Sequence, residues 1–118
     1  MKKHFLPISG VLLSCFVFAA MAYTTPALAI DRKMLGSWSA SSQCEDDMTV
    51  HIRRNEYAGI DQVCRFVRTK PEKGGWRLSL RCVGGGEDYS MDIHLRLLDN
   101  GRLRRSAAGL RTIEMRRC

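Results

Sequence analysis

From residue 35 onward, apolar residues recur at every second position in short runs, and no segment sustains a 3.6-residue period. The clearest run is 76–82, where Trp76, Leu78, Leu80 and Cys82 alternate with Arg77, Ser79 and Arg81. The arm before it sets Cys64 and Phe66 against Arg65, with Val63 and Val67 breaking the alternation on the Arg65 side. Between the arms, 70–75 reads Lys-Pro-Glu-Lys-Gly-Gly, turn chemistry in which proline sets φ and glycine permits positive φ. A hairpin centred near Lys73 pairs residues whose numbers sum to 146. Cys64 then faces Cys82, Phe66 faces Leu80 and Arg65 faces Arg81. Directly opposed residues of an antiparallel pair lie roughly 4.5–5.5 Å apart at Cα, within reach of a disulfide.

The next turn carries its own register. Gly85-Gly86 suits a two-residue primed turn and sets the partner sum to 171. Cys82 then meets Tyr89, Leu80 meets Met91, Leu78 meets Ile93 and Trp76 meets Leu95, apolar against apolar throughout. A long strand over 89–98 follows, with His94 and Arg96 outward. Asp99-Asn100-Gly101 is a further hairpin signal, leading to a strand around Leu103. Residues 107–109 turn the chain into a last strand over 110–115. Upstream, 35–39 reads as a first strand anchored by Trp38, and 48–54 as a second with Met48, Val50 and Ile52 inward. Residues 55–61 connect, with a short extended piece at Tyr57-Ala58. Six to eight short strands joined by turns predict an all-β antiparallel meander closed as a small barrel or sandwich.

The first 29 residues stand apart. Lys2, Lys3 and His4 precede an apolar run to about residue 22 and then Ala27-Leu28-Ala29, the layout of a secretory signal peptide. Cleavage is placed after Ala29; 20–22 (Ala-Met-Ala) is a second site, and 12–15 (Leu-Leu-Ser-Cys) resembles a lipobox that would lipidate Cys15. A membrane anchor fits less well with Pro7, Ser9, Gly10 and Ser14, so no stable membrane span is expected after cleavage. Residues 30–118 form one domain of 89 residues, a size that often needs covalent staples. It holds four cysteines, and export to an oxidising compartment makes them two disulfides. The hairpin register selects Cys64–Cys82, which leaves Cys44–Cys118. No Cys-x-x-Cys pair is present, so neither a metal nor a cofactor is expected.

Charge adds a surface to this frame. Of 19 Lys and Arg, Lys2 and Lys3 belong to the leader, so the domain carries 17 bases against 12 acids, a net of +5. Arg65, Arg81 and Arg96 fall on the outer face of the predicted meander, with Asp92 diagonal to Arg81. Arg53 and Arg54 end the second strand. A basic face of this kind favours anionic partners. No aromatic platform interleaves the arginines, so nucleic acid is not an expected partner. His51 and His94 lie on polar sides of their strands, and no Gly-x-Ser-x-Gly or Ser-x-x-Lys motif occurs. The triple glycine 84–86 lacks the helix start of a phosphate loop, and Glu45-Asp46-Asp47 lacks the alternating oxygens of a calcium loop.

The order Leu35-Gly36-Ser37-Trp38, Cys44, the Cys64/Trp76/Cys82 block, Gly84-Gly85-Gly86-Glu87 and Arg117-Cys118 resembles small exported disulfide-bonded β proteins of Gram-negative bacteria. In size, export and inferred barrel the chain is more loosely similar to the periplasmic and membrane-bound inhibitors of c-type lysozyme. Of that family's Ser-Gly-x-x-Tyr loop it carries a partial counterpart, Gly86-Glu87-Asp88-Tyr89. The expectation is therefore a non-enzymatic periplasmic or secreted domain. It would bind an envelope component, in one version an anionic one, or a host or periplasmic protein. The alternatives are a c-type lysozyme inhibitor, as the looser resemblance implies, and a small secreted enzyme without a recognisable motif.

Overall fold

The computed structural model describes residues 29–118 together with Gly10. The expected leader, its second cleavage site at Ala22 and Cys15 otherwise lie outside the described residues.

Two short 3-10 turns and eight strands follow in order. Arg32–Met34 is the first 3-10 turn, then come β1 (Gly36–Ser39), the 3-10 turn Asp46–Met48, β2 (Thr49–Ile52) and β3 (Glu56–Ala58). The long strands β4 (Gln62–Glu72), β5 (Gly75–Gly84) and β6 (Glu87–Leu97) form the central meander, and β7 (Leu103–Ser106) and β8 (Ile113–Arg117) complete the chain. Each strand pairs antiparallel with the next, and β8 returns to β1, so the sheet is a closed barrel. Closure leaves no free sheet edge at that seam.

Both predicted registers are present. Cys64 opposes Cys82, Phe66 opposes Leu80, and β5 pairs with β6 from Trp76↔Leu95 to Gly84↔Glu87. Gly85 and Gly86 have φ of 60° and 78°, as a primed two-residue turn demands. The 64–82 and 44–118 disulfides are both formed, with Cα separations of 4.0 and 5.9 Å.

Three local expectations need correction. The 70–75 stretch is not a six-residue loop: β4 runs on to Glu72, and only Lys73 and Gly74 turn. Pro71 is tolerated there because β3 pairs only with residues 63–65, so no neighbour asks for its missing N–H. Below Val67 the partner sum is 147 (Arg68↔Ser79 to Glu72↔Gly75), and a bulge between Phe66 and Arg68 restores 146 at the cysteines. Gly75 belongs to the strand, where a Cβ would meet the Leu95 carbonyl oxygen at 2.1 Å. Met48 is not inward; it sits in the 3-10 turn, off the pleat of β2, and is exposed. The last strand begins at Ile113 rather than residue 110, because Leu110 closes a turn onto the Ala107 carbonyl.

The core lies inside the barrel. Trp38, Ile52, Tyr57, Leu78, Leu80, Ile93, Leu95, Leu103, Met115 and both sulfurs of the 64–82 bridge are buried there. An eight-strand barrel has an interior that side chains can just fill. The loops after β1, β3, β5 and β7 share one end, here the upper end, and the N-terminal segment and the loops after β2, β4 and β6 share the lower end. The N-terminal segment adds Ile30 and Met34 to the core cluster. Asp31 caps its 3-10 turn by accepting from the Lys33 amide at 3.0 Å. Trp38 Nε1 donates to the Met34 carbonyl at 2.9 Å, which ties that turn to the core.

Candidate functional site

The five arginines picked out by pattern do not make a single stripe. Arg65 and Arg81 oppose each other on the outer face. Arg53 joins their row indirectly, through a 2.9 Å ion pair with Glu56, which is the cross-strand partner of Arg65. Arg81 donates to Ser90 Oγ at 3.3 Å and makes no ion pair with its diagonal neighbour Asp92. Arg96 lies elsewhere, opposite Arg104 and against Gly74 at the tip of the β4–β5 hairpin. Arg54 turns toward the lower end.

Arg54 lines a cleft there of about 450 Å³ with Arg32 and Arg68, around the apolar side chains of Ile30, Leu35 and Phe66. Among the described residues none of these three guanidinium groups has a carboxylate within 4.0 Å. The bulge shapes this cleft, since bulges re-aim side chains at barrel rims. Val67 stands out unpaired beside Phe66 and Arg68, and all three line the cleft wall. The departure of Val67 from alternation was visible in the sequence; which way the bulge would turn Arg68 was not.

The upper end holds a second cavity, of about 400 Å³. Tyr57 and Arg105 both reach it from inward-facing positions: Arg105 shares the parity of Leu103 and pairs with Leu95 and Ile113. Tyr89 Oη donates to Gln62 Oε1 at 2.5 Å across the same mouth. Tyr57 is 1% exposed, and neither its hydroxyl nor Arg105 Nε has a hydrogen-bond partner of adequate geometry. Arg105 donates through Nη2 to the Arg111 carbonyl at 2.8 Å. Residue type alone does not set Arg105 apart from the arginines around it. The signal that finds it is the two-residue step from Leu103, which is wholly buried.

Burial pushes the Tyr57 hydroxyl above its usual value of about 10, and the charge and poorly aligned hydrogen bond of the neighbouring Arg105 oppose that shift without cancelling it. The phenol thus stays neutral and able to donate. A raised folded-state value means that its contribution to stability is complete below about pH 10 and is lost as pH rises through the folded value. In a titration by near-ultraviolet tyrosinate absorbance, Tyr57 should ionise only with alkaline unfolding, as a phase missing from Tyr57→Phe. A Tyr57 phase that completes before unfolding contradicts this.

The histidines offer less. His51 Nδ1 lies 2.7 Å from Ser37 Oγ, its cross-strand neighbour, on the exposed face. Among the described residues no carboxylate comes within 4.0 Å to orient that ring as a base. His94 Nε2 is 3.8 Å from Glu72, a carboxylate already held by Arg77 at 2.8 Å. Among the described residues no group of three metal-ligating side chains occurs, and no helix is long and apolar enough to cross a membrane. No protein-family model, curated protein or solved structure matches the chain.

Proposed function

We propose that this chain is a non-catalytic binding domain of the periplasm or the extracellular space, and that it holds an anionic envelope component. Two disulfides place it in an oxidising compartment. The observation that carries the reading is the lower cleft, where Arg32, Arg54 and Arg68 surround an apolar floor and, among the described residues, have no carboxylate within 4.0 Å. Guanidinium groups match phosphate and carboxylate oxygens in pairs, and an apolar floor accepts the carbon skeleton attached to them. The outer row of Arg53, Arg65 and Arg81 extends the positive surface, although Glu56 partly offsets it. A second reading, inhibition of c-type lysozyme, draws on the closed disulfide-bonded barrel. It ranks below the first because a domain of net +5 meets a basic enzyme with like charge.

The protein should be retained on vesicles of anionic phospholipid, and on lipopolysaccharide, at low ionic strength and released at high salt. Arg32→Gln/Arg54→Gln/Arg68→Gln should lose most of that retention, whereas Arg65→Gln/Arg81→Gln should lose less. No retention of the unaltered protein at low salt defeats the proposal. Unabated lysozyme turnover at excess protein removes the second reading.

A further inference from the structure

We propose that the upper mouth of the barrel is a binding site for a monoanionic carboxylate bearing a short apolar chain, with Arg105 and Tyr57 holding the carboxylate. The cavity lies at the opposite end of the barrel from the basic cleft and shares no lining residue with it. The argument starts from hydrogen-bond accounting. Arg105 Nε can only donate, and its N–H is buried with no acceptor. The Tyr57 hydroxyl beside it is buried, and its contact with Arg105 leaves its own O–H without an acceptor among the described residues. A buried donor left unmade costs more than a hydrogen bond normally contributes, so such groups mark places where something else completes them. Two donors side by side, one of them cationic, call for an oxygen acceptor that carries negative charge.

Three further features narrow the ligand. First, Arg105 faces inward between Leu95 and Ile113, yet among the described residues it has no carboxylate within 4.0 Å. An inward charge without a counter-ion is expensive, and an anionic ligand supplies what the fold withholds. Second, Asp47 and Asp61 stand at the rim of the same cavity. Their charges disfavour a multivalent anion and tolerate a single one. Third, apolar side chains line part of the remaining wall. Val50 and Ile113 line it, and Met48 and Ile60 reach it while 46% and 60% exposed. A cavity of about 400 Å³ that combines convergent polar groups with apolar side chains has the build of a small-molecule site. The raised Tyr57 value keeps the hydroxyl protonated, as a donor to a carboxylate must be.

Octanoate is the test ligand, with octanol and inorganic phosphate as comparisons, each titrated into the purified protein. The readout is calorimetric binding together with the Arg105 Nε–H signal by NMR. Octanoate should bind and move that signal, and octanol and phosphate should bind at least about tenfold more weakly, since each lacks half of the recognition. Tyr57→Phe should weaken octanoate binding several-fold while changing the stability of the unliganded protein little, because the hydroxyl has only its poorly aligned contact with Arg105 to lose. Arg105→Met should abolish binding. Octanoate binding should survive Arg32→Gln/Arg54→Gln/Arg68→Gln, so the fates of the two proposed sites can be told apart. An Arg105 signal unmoved by octanoate means that water completes the pair, and the proposal falls. It falls equally if phosphate binds as tightly as octanoate, for then the apolar wall plays no part, or if Tyr57→Phe lowers stability but not affinity.

Discussion

Replacing Cys44 and Cys118 together by alanine should lower the unfolding free energy by about 4.5 kcal/mol, the loop-entropy value for two residues 74 apart in sequence. A domain of this size has about 4–13 kcal/mol in total, so the loss removes a large share of it. The position of the bridge argues against a smaller effect. The β1–β8 seam that closes the barrel has only two registered pairs, Trp38↔Arg117 and Ser39↔Arg116. It is helped by the Cys118 amide donating to the Ser37 carbonyl at 2.9 Å and by Arg116 Nε reaching the Ser41 carbonyl at 3.3 Å. The bridge fastens the loop after β1 to the residue after β8, directly over that seam. Cys44 itself has φ 53°, a left-handed conformation that costs a non-glycine residue about 1–2 kcal/mol, and alanine inherits that cost. The measurement is urea unfolding, where a slope of about 1.5 kcal/mol/M converts the loss into a midpoint shift of roughly 3 M. A shift under about 1 M would mean that the seam closes without the bridge. The Cys64–Cys82 bridge closes a shorter loop, 18 in separation, worth about 3 kcal/mol, and it lies inside the ten-pair β4–β5 ladder, which persists without it.

Trp38→Ala should cost about 4 kcal/mol, in the range of large aromatic truncations in packed cores. Trp38 is wholly buried and acts on three parts of the lower barrel at once. Its ring fills the interior between β2 and β8, where it opposes Val50 and Arg117. Its Nε1–H satisfies the Met34 carbonyl. The Arg117 guanidinium lies 4.2 Å over the ring and donates to the Leu35 carbonyl at 2.8 Å and to the Lys33 carbonyl. Truncation therefore releases the N-terminal segment as well as emptying the core. At 4–8 °C per kcal/mol for a domain this small, the melting temperature should fall by about 20 °C. Trp38→Phe separates the terms: it keeps most of the apolar volume and orphans the Met34 carbonyl, a loss of about 1–3 kcal/mol. A fall of under about 5 °C for Trp38→Ala would show that the lower core packs without it.

How legible these features were depends on whether they are local. Where a turn leaves one choice, the sequence reading carries through: Gly85-Gly86 dictates a two-residue turn, and nine consecutive β5–β6 pairs follow from it. The disulfide pairing follows in turn from the hairpin register. The lower end of β4 was misread because Pro71 and two glycines resemble a loop. Their strand depends on the absence of a β3 neighbour below Arg65, which is a fact of tertiary structure. Met48 was misplaced for a related reason, since alternation does not reveal that a 3-10 turn precedes Thr49. For the candidate sites, charge composition pointed to arginines but not to their grouping. Arg54 and Arg68 meet only because a bulge and a loop share one end of the barrel. Arg105 was hidden by its neighbours Arg102 and Arg104, whose number obscured the parity that turns it inward.

The bulge also determines where β4 tolerates a change in length. Counted from the Lys73-Gly74 turn, the strand is one residue too long for its cysteine, and Val67 is the surplus. Loss of Val67 alone would leave Phe66 still opposite Leu80 and Cys64 still opposite Cys82, in unbroken alternation. Loss of one residue within 68–72 would also keep Cys64 opposite Cys82, but the side chains between the lost position and Phe66 would turn to the other face, and a gain there would carry Cys64 away from Cys82 unless the bulge widens. Loss at Val67 is thus the change that keeps every paired side chain on its face, so the wall of the arginine cleft can change shape while the barrel keeps its bridge.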